Sequence, residues 1–123
     1  MTDVEFSKTL ILRTKKFALR AIRLFQHLPK TDEAKIIGKQ LLRSATSVAA
    51  NYRAACRGRS NNEWYSKLCI VVEEADETQF WTELLMESGI FKEEKVKDFY
   101  SESTELLSLF TTIRKNSKPV AKN

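Results

Sequence analysis

The 123-residue chain is 30% charged, carries a formal net charge of +5, and contains only three glycines and two prolines. A chain of that size can bury a core as one domain without disulfide or metal staples. So little glycine and proline disfavours a turn-rich β fold or long disordered linkers. No run of about 18 apolar residues is present to span a membrane. The N-terminal MTDVEFSKTLILRTKK lacks the basic-then-apolar order of a secretory signal. A cytoplasmic location without a membrane partner is expected.

The charge is unevenly placed. Residues 1–59 hold 13 Lys/Arg against 4 Asp/Glu, and residues 60–123 hold 8 against 12. A basic pair of elements joined to an acidic pair is the implied layout.

The first apolar-periodic segment covers about residues 5–28. Leu10, Thr14, Phe17, Ala21, Phe25 and Leu28 step by three and four, with Ile11, Ala18 and Ile22 widening the stripe. The opposite side collects Arg13, Lys16, Arg20, Arg23, His27 and Lys30 within an arc of about 100°. Leu12 and Leu19 fall on this basic side, as stray surface apolars or contacts to another chain. Pro29 stops the helix by forcing its predecessor out of helical geometry.

A second helix is expected over about 32–57. Thr31 can cap it, and Asp32 and Glu33 occupy the first turn, where the helix dipole favours carboxylates. Ile37, Leu41, Ala45, Val48, Tyr52 and Ala55 form its buried side. Ser44, Ala45, Ser47, Ala49, Ala50, Ala54 and Ala55 make its second half rich in small residues, so that a neighbour can approach closely. Gly58 stands where a C-terminal glycine cap belongs. Ser60 and Glu63 form an S-x-x-E capping box for a third helix over about 61–88. The short link makes helices two and three antiparallel neighbours.

The third helix has two apolar stripes. One is Trp64, Leu68, Val72, Ala75, Gln79, Thr82 and Met86; the other, nearly opposite, is Ile70, Trp81 and Leu84. A bundle helix needs only the first, so Ile70, Trp81 and Leu84 are expected at a contact with another subunit. Gly89 ends this helix, and a fourth over about 92–115 buries Val96, Phe99, Ser103, Leu106, Phe110 and Ile113. Asn116, Ser117 and Pro119 release a short basic tail at 119–123. Four helices with short connections predict an all-α, antiparallel up-down-up-down bundle, a single domain over residues 1–118.

The clearest chemical signal is a basic stripe on the second helix. Lys35, Arg43, Arg53 and Arg57 fall within about 40° of Lys39, and Arg59 follows at the turn. Together with Arg20 and Arg23 of the first helix these cations could neutralise phosphates of RNA or DNA. The alternatives are a solvated face, or pairing with the acidic helices of a neighbouring subunit.

Other constellations carry less. The cluster Glu73, Glu74, Asp76 and Glu77 has no Glu-x-x-His partner of the di-iron kind, the single histidine being His27. No metal or other cofactor is expected. His27 suits a helix C-terminus better than a catalytic base, and no glycine-rich phosphate loop, C-x-x-C pair or nucleophile elbow occurs. The aromatics Trp64, Tyr65, Phe80 and Trp81 fit packing better than base stacking. Cys56 and Cys69 lie unevenly about the turn, offset by roughly 10 Å along the helices, too far to bridge. Buried free thiols are expected.

The run KQLLRSATSVAANYRAACRGRSNNEW (residues 39–64), followed by KLCIVVEEADETQFWTELL, resembles the four-helix-bundle family of 23S ribosomal RNA intervening-sequence proteins, also called the S23 ribosomal protein family. The likeness spans about residues 15–115. Arg43–Asn51, Arg57–Ser60 and the start of the third helix are its most specific parts. Where many members carry Ala-Glu-Gly after the asparagine, this chain has Tyr52-Arg53-Ala54-Ala55-Cys56, which adds basic charge. Family names record a gene's position inside inserted rRNA segments, which is no activity. The resemblance implies a non-enzymatic bundle assembled as a ring-like homopentamer. It also implies kinship with the accessory protein of diversity-generating retroelements, a basic pentamer that binds nucleic acid and a reverse transcriptase. Asn51, within the family run, is open to two roles, a helix–helix hydrogen bond or a ligand contact.

Overall fold

A computed structural model describes residues 3–119. It contains α1 (Asp3–Gln26), α2 (Asp32–Cys56), α3 (Asn61–Glu87) and α4 (Glu93–Asn116). Each boundary lies within two residues of its sequence expectation. Consecutive helices pack side by side, α2 with α3 most extensively, and a lighter α1–α4 contact closes the ring. This is the expected up-down-up-down bundle. Of the expected tail, residues 120–123 lie outside the described residues.

Local chemistry sets the helix ends. The Thr31 hydroxyl accepts from the Ala34 N–H at 3.3 Å, and the Ser60 hydroxyl accepts from the Glu63 N–H at 3.2 Å. The Glu63 carboxylate accepts from the Arg59 N–H at 2.5 Å, so the box closes one residue before the cap. Gly58 does not adopt the left-handed conformation expected of a glycine cap; among the described residues only Gly89 has a positive φ, at 77°. Gly58 instead provides room, since a Cβ there would stand 3.3 Å from Glu63 Cβ and from Trp64 N.

The core draws on all four helices, with Phe17, Ala21, Leu41, Val48, Tyr52, Leu68, Val71, Leu85, Leu106 and Phe110 all buried. The α4 stripe is buried from Val96 to Phe110, with Ile113 half-buried. In α1, Leu24 takes a core position while Ile22, expected to widen the stripe, is exposed. In α3 the buried set is Leu68, Val71, Val72, Ala75, Thr78, Thr82 and Leu85, with Trp64, Gln79 and Met86 half-buried. α3 packs against both α2 and α4, which broadens its covered arc and rotates the centre toward Val71, Thr78 and Leu85.

Specific contacts fix the seams. Phe17 and Phe99 stack at 4.5 Å between α1 and α4. Tyr52 meets Phe110 at 5.0 Å and Trp64 at 6.2 Å. Between α2 and α3 the buried hydroxyls of Ser44 and Thr78 lie 2.9 Å apart. Each also reaches a carbonyl of its own helix, Leu41 O at 3.1 Å and Glu74 O at 2.7 Å. One hydroxyl can therefore donate across the seam while the other donates within its helix, leaving neither unpaired.

Arg13 joins α1 to α4. Its Nε and Nη2 donate to the two Glu102 carboxylate oxygens at 2.8 and 2.6 Å, and Nη2 also reaches Glu105 at 2.8 Å. The basic side of α1 is thus turned partly toward α4 rather than to solvent. One residue further along α4, the buried Ser103 hydroxyl has no hydrogen-bond partner among the described residues.

Three outcomes follow for stability. The Arg13 guanidinium holds the Glu102 carboxyl below its ordinary value of 4.5. A depressed folded pKa contributes stability above the unfolded value, lost as pH falls through the folded one. Arg13→Met should therefore cost about 1 kcal/mol at neutral pH, with the gap to wild type narrowing as urea melts are taken below pH 4.5. Ser103→Ala removes an orphan hydroxyl and should leave stability unchanged or raise it by up to about 1 kcal/mol. Leu106→Ala, one turn away, should lose about 2–5 kcal/mol in the same urea melts.

Candidate nucleic-acid interface

Ser44, Ala45 and Ala55 lie on the side of α2 that is buried in the bundle, and the opposite side meets solvent. Lys35, Lys39, Arg53 and Arg57 are all exposed. Among the described residues none of these four is in an ion pair. Arg59, with 92% of its side chain exposed, lies 4.0 Å from Glu63 at the turn. Arg53, Arg57 and Arg59 therefore present three guanidinium groups within seven residues, where α2 ends and the chain turns.

Arg43 shares the stripe by angle but not by state. Its guanidinium donates to Glu74 at 3.2 Å and to Glu77, both of α3 in the same chain. Glu77 also accepts from Trp81 Nε1 at 3.1 Å. The Trp81 indole and the Arg43 guanidinium together hold the Glu77 carboxyl below the usual carboxylate range. Arg43 is thus neutralised internally.

Arg20 and Arg23 do not join the α2 cations. The Arg20 guanidinium lies 5.9 Å above the Phe99 ring of α4, and both arginines border a cavity shared with Lys92 and Lys95. The single basic face expected across α1 and α2 is divided in two. The cause is the α1 arc that begins at Arg13, which leans toward α4 and carries Arg20 with it.

Two cations that sequence spacing left aside do come near the turn. Lys8 of α1 borders the same depression as Arg59, Ser60 and Asn61. Lys118 lines a neighbouring depression with Ser60 and Asn61. Only the topology brings the two chain ends to the α2–α3 turn. No local motif marks these lysines.

The residues expected at a subunit contact are partly covered by their own chain. Ile70, Trp81 and Leu84 are half-buried within the chain itself, and Trp81 packs against its core. The large exposed apolar side chains are Val4, Phe6, Leu12 (68% exposed), Leu19 and Ile22 on α1, Ile36 (64%) on α2 and Phe80 (50%) on α3.

The remaining candidates have local explanations. His27 Nδ1 lies 2.7 Å from the Arg23 carbonyl, an acceptor only, which puts the proton on Nδ1. Asn51 donates to Ser47 O and Oγ within α2, at 2.9 and 2.8 Å, and not across to another helix. Cys56 and Cys69 are free, and half-buried rather than buried. Burial and a hydrogen bond to Cys56 push the Tyr52 phenol above its ordinary range, against the opposing effect of a hydrogen bond to Ser7. Among the described residues no helix is long and apolar enough to cross a membrane, and no group of three or more His, Cys, Asp or Glu is placed to hold a metal ion.

The sequence profile of the 23S rRNA-intervening sequence proteins matches residues 9–112. A solved structure from Bacteroides thetaiotaomicron, described as a protein of unknown function from the S23 ribosomal protein family, is similar in fold and sequence. It superposes with a TM-score of 0.81 at 32% identity, covering 89% of this chain and 97% of its own. No curated protein sequence matches the chain. With the profile spanning residues 9–112 and the bundle shared, the chain belongs to the family of 23S rRNA-intervening sequence proteins.

Proposed function

We propose that this protein is a non-enzymatic, cytoplasmic accessory protein that binds RNA or DNA through phosphate contacts. It works as a homo-oligomer, a pentamer by the family resemblance. The reading rests on one observation: Lys39, Arg53 and Arg57 are exposed on one side of α2 without an ion pair among the described residues, while Arg43 beside them is already neutralised. Arg59 extends the ridge around the turn. Cations already held by carboxylates offer a phosphate little; hydrated, unpaired ones gain by displacing the counterions of a nucleic acid. Ring assembly would repeat the ridge in each subunit and multiply a weak contact. The apolar side chains Leu12, Leu19 and Ile22 on α1 are the exposed surface best suited to hold subunits together.

A second reading, a protein-interaction scaffold, has its own support. Glu73, Asp76 and Glu83 surround the exposed Phe80 in a shallow acidic groove on α3. The α2 ridge of another subunit would complement that groove in charge.

One experiment separates the two. For wild type, log affinity for a single-stranded RNA should fall with log salt by about 0.7 per phosphate contacted, or about 3 for four cations engaged. Arg53→Glu with Arg57→Glu should weaken RNA binding more than tenfold while native mass shows the assembly intact. Dissociation of the assembly in that variant would favour the scaffold. Unchanged RNA affinity would remove both arginines from the site.

A further inference from the structure

An open cavity of about 710 Å³ lies on the surface where the end of α1 meets the start of α4, at the opposite end of the bundle from Arg53 and Arg57. Four permanent cations border it: Arg20 and Arg23 from α1, Lys92 from the α3–α4 turn, and Lys95 from α4. Among the described residues none of the four is in an ion pair, and Asp98 is the one carboxylate lining the cavity. That contrasts with Arg13 and Arg43, each of which is held by two glutamates. The cations here converge from three segments upon one space, and an excess positive charge is left facing it.

The walls are not polar throughout. Leu24, Ile90 and Phe91 supply apolar surface, and the Phe17–Phe99 stack closes the back. The Arg20 guanidinium over the Phe99 ring is held by the π-face, which keeps its charge at the cavity rather than free in solvent. Lys92 caps α4 without a side-chain hydrogen bond to the first-turn N–H groups. The positive end of that helix adds to the same field.

A suitable occupant must therefore combine an apolar, flat body with several negative charges. Inorganic phosphate would leave the Ile90 and Phe91 wall unused. A fatty acid would bring one charge to four cations. We infer that the cavity is a site for a nucleoside phosphate, its base against Phe91 and Ile90 and its phosphates among Arg20, Arg23, Lys92 and Lys95. This site is separate from the α2 ridge, so the two can fail independently.

Titration calorimetry on the full chain at low salt, with ATP, adenosine and inorganic tripolyphosphate as probes, tests it. ATP should bind once per chain, and at least tenfold more tightly than either adenosine or tripolyphosphate. Arg23→Ala with Lys95→Ala, both exposed positions, should weaken ATP at least tenfold. Phe91→Ala should weaken ATP while leaving tripolyphosphate unchanged. The Arg53→Glu, Arg57→Glu variant should bind ATP as wild type does. Three results would overturn the assignment: no ATP binding at millimolar concentration, equal affinity for ATP and tripolyphosphate, or ATP affinity indifferent to Arg23 and Lys95.

Discussion

The bundle depends on the close approach of α2 and α3. Small residues along α2 permit it, and the buried Ser44–Thr78 hydroxyl pair, 2.9 Å apart, ties it without an orphan polar group. Once those two helices lie flush, other placements follow. Tyr52 is buried against Trp64 and Phe110. Arg43 comes within reach of Glu74 and Glu77. The remaining cations of α2 are in no ion pair among the described residues. A larger residue at position 44 or 45 would wedge the helices apart, since a close-packed interior has no room to absorb it.

Charge is sorted by that packing into two populations. Arg13 and Arg43 serve as struts, each spanning two helices and each held by a pair of glutamates. Arg53, Arg57 and the cavity group Arg20, Arg23, Lys92 and Lys95 are in no ion pair among the described residues. Net charge alone does not distinguish these populations. The structural partners do, and among the unpaired cations are both those of the α2 ridge and those around the α1–α4 cavity. A ridge suits a repeating polyanion; a concave site with apolar walls suits a single small anion.

The architecture was readable from the chain because each helix carries its own period and its own end signals. The α4 stripe from Val96 to Phe110 is buried as its spacing predicts, and Thr31 and Ser60 cap as their positions suggest. The site was only partly readable. A helical wheel gives the angle of Arg20 or Trp81 on its own helix, but not which neighbour stands at that angle. Basic character alone groups Arg20 and Arg23 with α2, whereas their side of α1 borders α4. Trp81 stands on the stripe opposite the main one, and because α3 packs on two sides it is partly covered within its own chain. Lys8 and Lys118 are far apart in sequence and meet the α2–α3 turn only through the topology.

The most direct test of a phosphate-binding ridge is to watch each arginine. Side-chain Nε–H resonances of the isotopically labelled protein, followed while a short single-stranded RNA is added at low salt, report every guanidinium separately. If phosphates bind the α2 ridge, the Arg53, Arg57 and Arg59 signals shift together, while Arg13 and Arg43, already hydrogen-bonded to glutamates, stay in place. Shifts confined to Arg13 or Arg43, or no shifts at RNA concentrations that visibly bind, would contradict the separation of strut from ridge.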